Sequence, residues 1–141
     1  MKGSSAAARN MRLWAVLSRV REVRVRRRLA EWARAQRSVQ AAETAVDHAV
    51  TRCERHAAQL AGLQDWRASG PHGPAMWRHA RERHRQQEAV LAREVAAARD
   101  ALSIASGHAL AVRATLRREM HARDDALKRA REAEAKARRE D

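Results

Sequence analysis

Large apolar side chains recur along this chain at alternating spacings of four and three residues, the period that places them on one face of an α-helix. In the first half, Val25, Trp32, Val39, Val46, Cys53 and Leu60 fall seven apart, with the mostly small Ala35, Ala42, Ala49 and Leu63 between them and Arg28 and His56 interrupting. In the second half, Leu91, Val95, Ala98, Leu102, Ala105, Ala109, Val112 and Leu116 follow the same rule, continuing less regularly through Met120 and Leu127. Alternation of large and small residues lets two helices approach closely, and each seam demands a partner helix.

Between the two periodic stretches, Ser69-Gly70-Pro71-His72-Gly73-Pro74 gathers both prolines of the chain and two of its five glycines. Such a cluster ends one helix and starts another, and Pro74 suits a first helical position, where its missing N–H costs nothing. The expected organisation is a leader over residues 1–10, flexible and frayed, a first helical arm over 11–68, a turn over 69–75 and a second arm over 76–141. The fold class is all-α: a long antiparallel coiled-coil hairpin of two helices.

One stripe does not share this phase. Leu13, Val16, Leu17, Val20 and Val23 are offset from the series that contains Val25. Either the first turns face something other than the intramolecular partner, or the coiled coil has a discontinuity there.

Composition supports a thin core. The chain of 141 residues contains no Phe or Tyr, and much of its apolar content is Ala, which favours helix but buries little area. A third of the residues are charged, a proportion typical of long helices and coiled coils. The net charge of +13 is unevenly spread: residues 9–37 hold ten Arg against Glu22 and Glu31 alone. In the second arm Glu119 and Arg123, Asp124 and Lys128, Asp125 and Arg129, and Glu134 and Arg138 stand four apart in the favourable order. In the first arm only Glu22 and Arg26 do. Arg24, Arg26, Arg27 and Arg28 are therefore expected to meet water or an external acidic surface, and Arg19 and Arg21 belong to the same basic segment.

Catalytic and cofactor chemistry finds no foothold. The seven histidines include no pair three or four residues apart, the spacing that presents two imidazoles on one helical face to a metal. Gly70 and Gly73 lack the following Lys and Ser or Thr of a phosphate-cradling loop. Cys53 has His56 one turn away, yet a cysteine in an apolar seam is ordinarily a small buried hydrophobe. No enzyme activity, cofactor, metal or small-molecule substrate is expected. A lone cysteine permits a reducing compartment, and no apolar run approaches the ~18 residues of a membrane span.

Trp66 and Trp77 bracket the turn, either packing across the hairpin tip as a cap or standing out as contact residues. In its two nearly equal basic arms, its mid-chain turn and the Met76-Trp77-Arg78 segment just after it, the chain resembles the FliJ/YscO-like (SctO-type) central-stalk proteins of type III secretion and flagellar export. The resemblance spans the whole length and rests on architecture. It implies a non-enzymatic stalk in the bacterial cytoplasm, at the cytoplasmic face of a secretion apparatus. The paired terminal ends would enter the ring ATPase, and other surfaces would contact the export-gate protein or secretion chaperones. Arg19, Arg21, Arg24, Arg26, Arg27 and Arg28 would suit the ATPase side. Family members carry Tyr or Phe near the turn where this chain has neither, so Trp66 and Trp77 stand only as candidate tip contacts. Two other readings use the same residues. A basic helix could associate with nucleic acid, although that is not the expected partner. An amphipathic segment around Leu13 and Trp14 could lie peripherally on a membrane surface.

Overall fold

A computed structural model describes residues 2–70 and 73–140, with side chains from Ala6 onward. It contains two helices, α1 (Lys2–Ser69) and α2 (Pro74–Glu140), packed against each other as an all-α hairpin. α2 begins on Pro74, and Gly70 follows the last residue of α1. The central residues of the expected turn, Pro71 and His72, lie outside the described residues. At the other end, α1 already includes residues 2–10, expected as a leader. The run Ala6-Ala7-Ala8 consists of the strongest helix-forming residue, and no proline or glycine interrupts the segment after Gly3.

The chain forms two compact units. Met1–Gln36 pairs with Gly107–Asp141 in the first, and Arg37–Ser106 forms the second. In the first unit, Arg21 reaches Glu119, Glu22 reaches Arg123 and Trp14 lies under Arg129, so numbers rise along one helix as they fall along the other. That is antiparallel pairing. In the second, Arg52 meets Glu94, His56 meets His84 and Arg67 lies over Trp77, in the same sense.

Within each unit the α1 face turned to α2 keeps a single phase. In the first unit it runs through Met11, Trp14, Ser18, Arg21, Val25, Arg28, Trp32 and Ala35, all buried or half-buried, with Val25 the most enclosed. In the second it runs through Val39, Ala42, Val46, Ala49, Cys53, His56, Leu60 and Leu63. The seam therefore has no discontinuity near Val23. The offset apolar stripe is a second face of the same helix, as the next subsection describes.

On α2, Leu91, Val95, Ala109 and Leu116 are buried, and Leu102 and Val112 are half-buried. Beyond Leu116 the packed face departs from the expected course. It passes through Glu119, Arg123, Ala126, Ala130, Ala133 and Ala137, whereas Met120 and Leu127 are each 36% exposed at its edge. The physical reason is that the four-three alternation from Leu116 lands on those positions. Alanine there leaves room for the bulk that α1 presents: Trp14 sits beside Arg129 and Ala133.

Candidate functional site: the basic unit and the tip groove

Of the net +13, the first unit carries twenty Lys or Arg against nine Asp or Glu, or +11; the second carries ten against eight, or +2. The helix positions divide the arginines of the first unit into two sets. Arg21 and Arg28 lie at seam positions and are half-buried, Arg21 with its guanidinium 3.9 Å from Glu119 and Arg28 bonded at 3.0 Å to Glu31 one turn on. Arg28 thus has a local partner that the four-residue rule overlooks, because Glu31 stands three residues away. Arg19, Arg24, Arg26 and Arg27 point outward and are exposed. Arg26 stands 3.8 Å from Glu22, while Arg19, Arg24 and Arg27 form no ion pair with any described residue.

The charge pairing expected within the second arm is only partly present. Asp125 pairs with Arg129, and Glu134 with Arg138. Glu119 and Arg123, however, turn toward α1, where Arg123 approaches Glu22 at 3.7 Å as well as Asp124 at 3.2 Å. Both occupy packed positions, so each reaches an opposite charge across the seam, Arg123 in addition to its neighbour Asp124. One carboxylate oxygen of Glu119 is buried without a hydrogen bond, its nearest cation being Arg21. Beside it, Arg24, Arg27, Arg28 and Glu31 complete a shallow groove of about 400 Å³.

The outer face of α1 carries the offset stripe. Leu13 and Val16 are each 55% exposed, Val20 42% and Val23 48%. Leu17, at the margin, is half-buried. Trp14, by contrast, faces inward, its ring 5.1 Å from the Arg129 guanidinium.

In the second unit, the two imidazoles of His56 and His84 stack with centroids 3.9 Å apart and planes 16° from parallel. Nε2 of His56 lies 2.9 Å from the His84 carbonyl, and Nε2 of His84 lies 3.0 Å from the His56 carbonyl. A carbonyl can only accept, so both Nε2 atoms carry hydrogen and donate. Sequence reasoning noted His56 as an interruption of the seam and as a neighbour of Cys53, and did not pair it with His84. The one available signal was that His84 lies seven residues before Leu91 on the packed face of the other arm.

These hydrogen bonds occupy both Nε2 atoms and leave Nδ1 of each ring as the acceptor. No group of three or more His, Cys, Asp or Glu among the described residues could hold a metal ion. Cys53 is half-buried in the seam as a free thiol.

Trp77 is buried, 8% exposed, with Arg67 4.8 Å above its ring and its backbone N–H donating to the Gly73 carbonyl at 3.2 Å. It packs across the tip and presents no projecting knob. Half-buried Trp66 lines an open groove of about 960 Å³ together with His56, Gln59, Leu63, Arg83, His84, Gln87 and Val90.

Comparison with protein-family models, with curated proteins and with solved structures finds no match for this chain.

Proposed function

We propose that this hairpin is a non-enzymatic stalk of a type III secretion or flagellar export system, working at the cytoplasmic face of the apparatus. In this reading the first unit binds the ring ATPase, and other surfaces link it to the export gate or to secretion chaperones. The observation that carries the reading is the concentration of charge. A net +11 gathers in the unit formed by Met1–Gln36 and Gly107–Asp141, with Arg19, Arg24 and Arg27 exposed on it and in no ion pair with any described residue. Exposed guanidiniums without an ion partner among the described residues favour an acidic protein surface, and they steer association more than they stabilise the fold. The resemblance in architecture to FliJ/YscO-like stalks supports the same assignment. No described helix is long and apolar enough to cross a membrane.

The test is reconstitution with the ring ATPase of a secretion system. The hairpin should raise hexamer content and ATP turnover, and a variant with Arg19, Arg24 and Arg27 changed to Glu should not. Turnover that is unchanged by the native chain sinks the proposal. The same charge would serve a nucleic-acid-associated helix. Retardation of duplex DNA at ~50 mM salt, with log affinity falling linearly and steeply against log salt, would favour that alternative.

A further inference from the structure

The stripe on the outer face of α1 has the internal spacing of a coiled-coil seam. Leu13, Val16, Val20 and Val23 follow each other at three, four and three residues, each two positions beyond a residue of the packed face. Two residues turn a helix by about 200°, so this second seam lies opposite the one that α2 covers. Arg12, Arg19 and Arg26 stand immediately before Leu13, Val20 and Arg27, which places all three on one flank of the seam. Arg24 stands on the other flank, and Arg9 and Arg27 close the stripe at its two ends. All six arginines are exposed. The acids beside the face already have cations: Glu22 is shared between Arg26 and Arg123, Glu31 is bonded to Arg28 and Glu119 faces Arg21.

We propose that this face docks an acidic amphipathic helix of a partner protein, whose apolar ridge covers Leu13, Val16, Val20 and Val23 and whose Glu or Asp flanks meet Arg12, Arg19, Arg26 and Arg24. Flanking charges select the partner in coiled coils, and a flank made of arginine selects carboxylates. A second copy of this chain is the wrong occupant. Antiparallel self-pairing would oppose the Arg12, Arg19 and Arg26 row to itself, and parallel pairing would bring Arg19 against Arg24. A membrane surface suits the face less well. The stripe is a narrow four-three seam ending after three turns, and the one nearby tryptophan, Trp14, faces α2. The inference goes beyond the stalk reading and does not rest on it.

The probe is a synthetic three-heptad peptide with Leu at both seam positions and Glu on both flanks, titrated by fluorescence anisotropy against the full chain. A control peptide keeps the Leu seam and carries Lys on the flanks. The Glu peptide should bind at least tenfold more tightly than the Lys peptide. Val16→Glu with Val20→Glu should weaken it by tenfold or more. Since both side chains point to solvent, helicity by circular dichroism should be unchanged. Arg12, Arg19 and Arg26 changed together to Glu should reverse the preference in favour of the Lys peptide. That swap supports the proposal independently of the apolar variant. No binding of the Glu peptide at ~100 µM overturns it, as do equal affinities for the two peptides or indifference to both sets of substitutions. Flotation of the native chain with vesicles rich in anionic phosphatidylserine, abolished by the Val16 and Val20 changes while the Glu peptide fails to bind, would replace it with a membrane contact. No ATPase enters the assay, so its failure and that of the stalk reading are distinguishable.

Discussion

The reciprocal histidine pair gives a test in which the geometry dictates how two substitutions add. His56 and His84 are 9% and 8% exposed, and each donates Nε2–H to the backbone carbonyl of the other. His56→Ala removes one hydrogen bond, worth about 1 kcal/mol net, and the stack, worth roughly 1 kcal/mol if the imidazoles behave like other aromatic pairs. It leaves the other bond intact, because His84 donates to a backbone oxygen that alanine retains. His84→Ala is equivalent. Each single variant should therefore lose about 2 kcal/mol, plus a void term that depends on how far the seam closes. The double variant loses two bonds but only one stack. It should fall about 1 kcal/mol short of the sum, and that shortfall isolates the ring contact. Urea denaturation followed by circular dichroism and by tryptophan fluorescence supplies the four free energies, provided the two probes give coincident transitions. Two single-variant losses under ~0.5 kcal/mol would refute a buried, bonded pair. A shortfall well above ~2 kcal/mol would mean that each bond needs the other ring, contrary to the backbone-acceptor reasoning.

Two further outcomes follow from the packing. Gly62 and Gly107 lie inside helices, and a Cβ at either position meets nothing within 4 Å, so Gly→Ala at each should raise stability by about 0.8 kcal/mol, read as a higher urea midpoint at unchanged slope. Ala126 is buried, 4% exposed, in the alanine run that follows Leu116. Ala126→Leu should cost about 1–3 kcal/mol through overpacking, and a rise in thermal midpoint would show that the helices are not closely apposed there.

Much of the hairpin was legible because helical periodicity is a local property. Side chains advance by about 100° per residue whatever they later touch, so the series through Val25 marks one face before any partner is known. The tip was legible for a similar reason, since Pro74 begins α2 and Gly70 follows α1. The site was less so. Counting charges identified the basic arm, but a rule restricted to four-residue neighbours assigned Glu119 to Arg123 and left Arg28 without a partner. Both assignments failed because ion pairs follow distance in space: Glu119 finds Arg21 on α1, Arg123 divides itself between Asp124 and Glu22 of α1, and Arg28 finds Glu31. Trp77 was open to two readings, and burial beneath Arg67 makes it a packing residue.

By itself, then, the sequence determined the helices, the place where the chain reverses and the seam that binds the two arms, together with the imbalance of charge toward one part of the chain. These depend on propensity, periodicity and composition, all of which act within a few turns. Only the tertiary structure decided the rest. The register between the arms brings His56 against His84 and Arg21 toward Glu119, and no single-helix pattern contains that register. It also gives Leu13, Val16, Val20 and Val23 their meaning. A seam that continues in phase beneath them through Trp14, Ser18 and Arg21 is already covered by α2, which leaves the second stripe facing outward with its arginines.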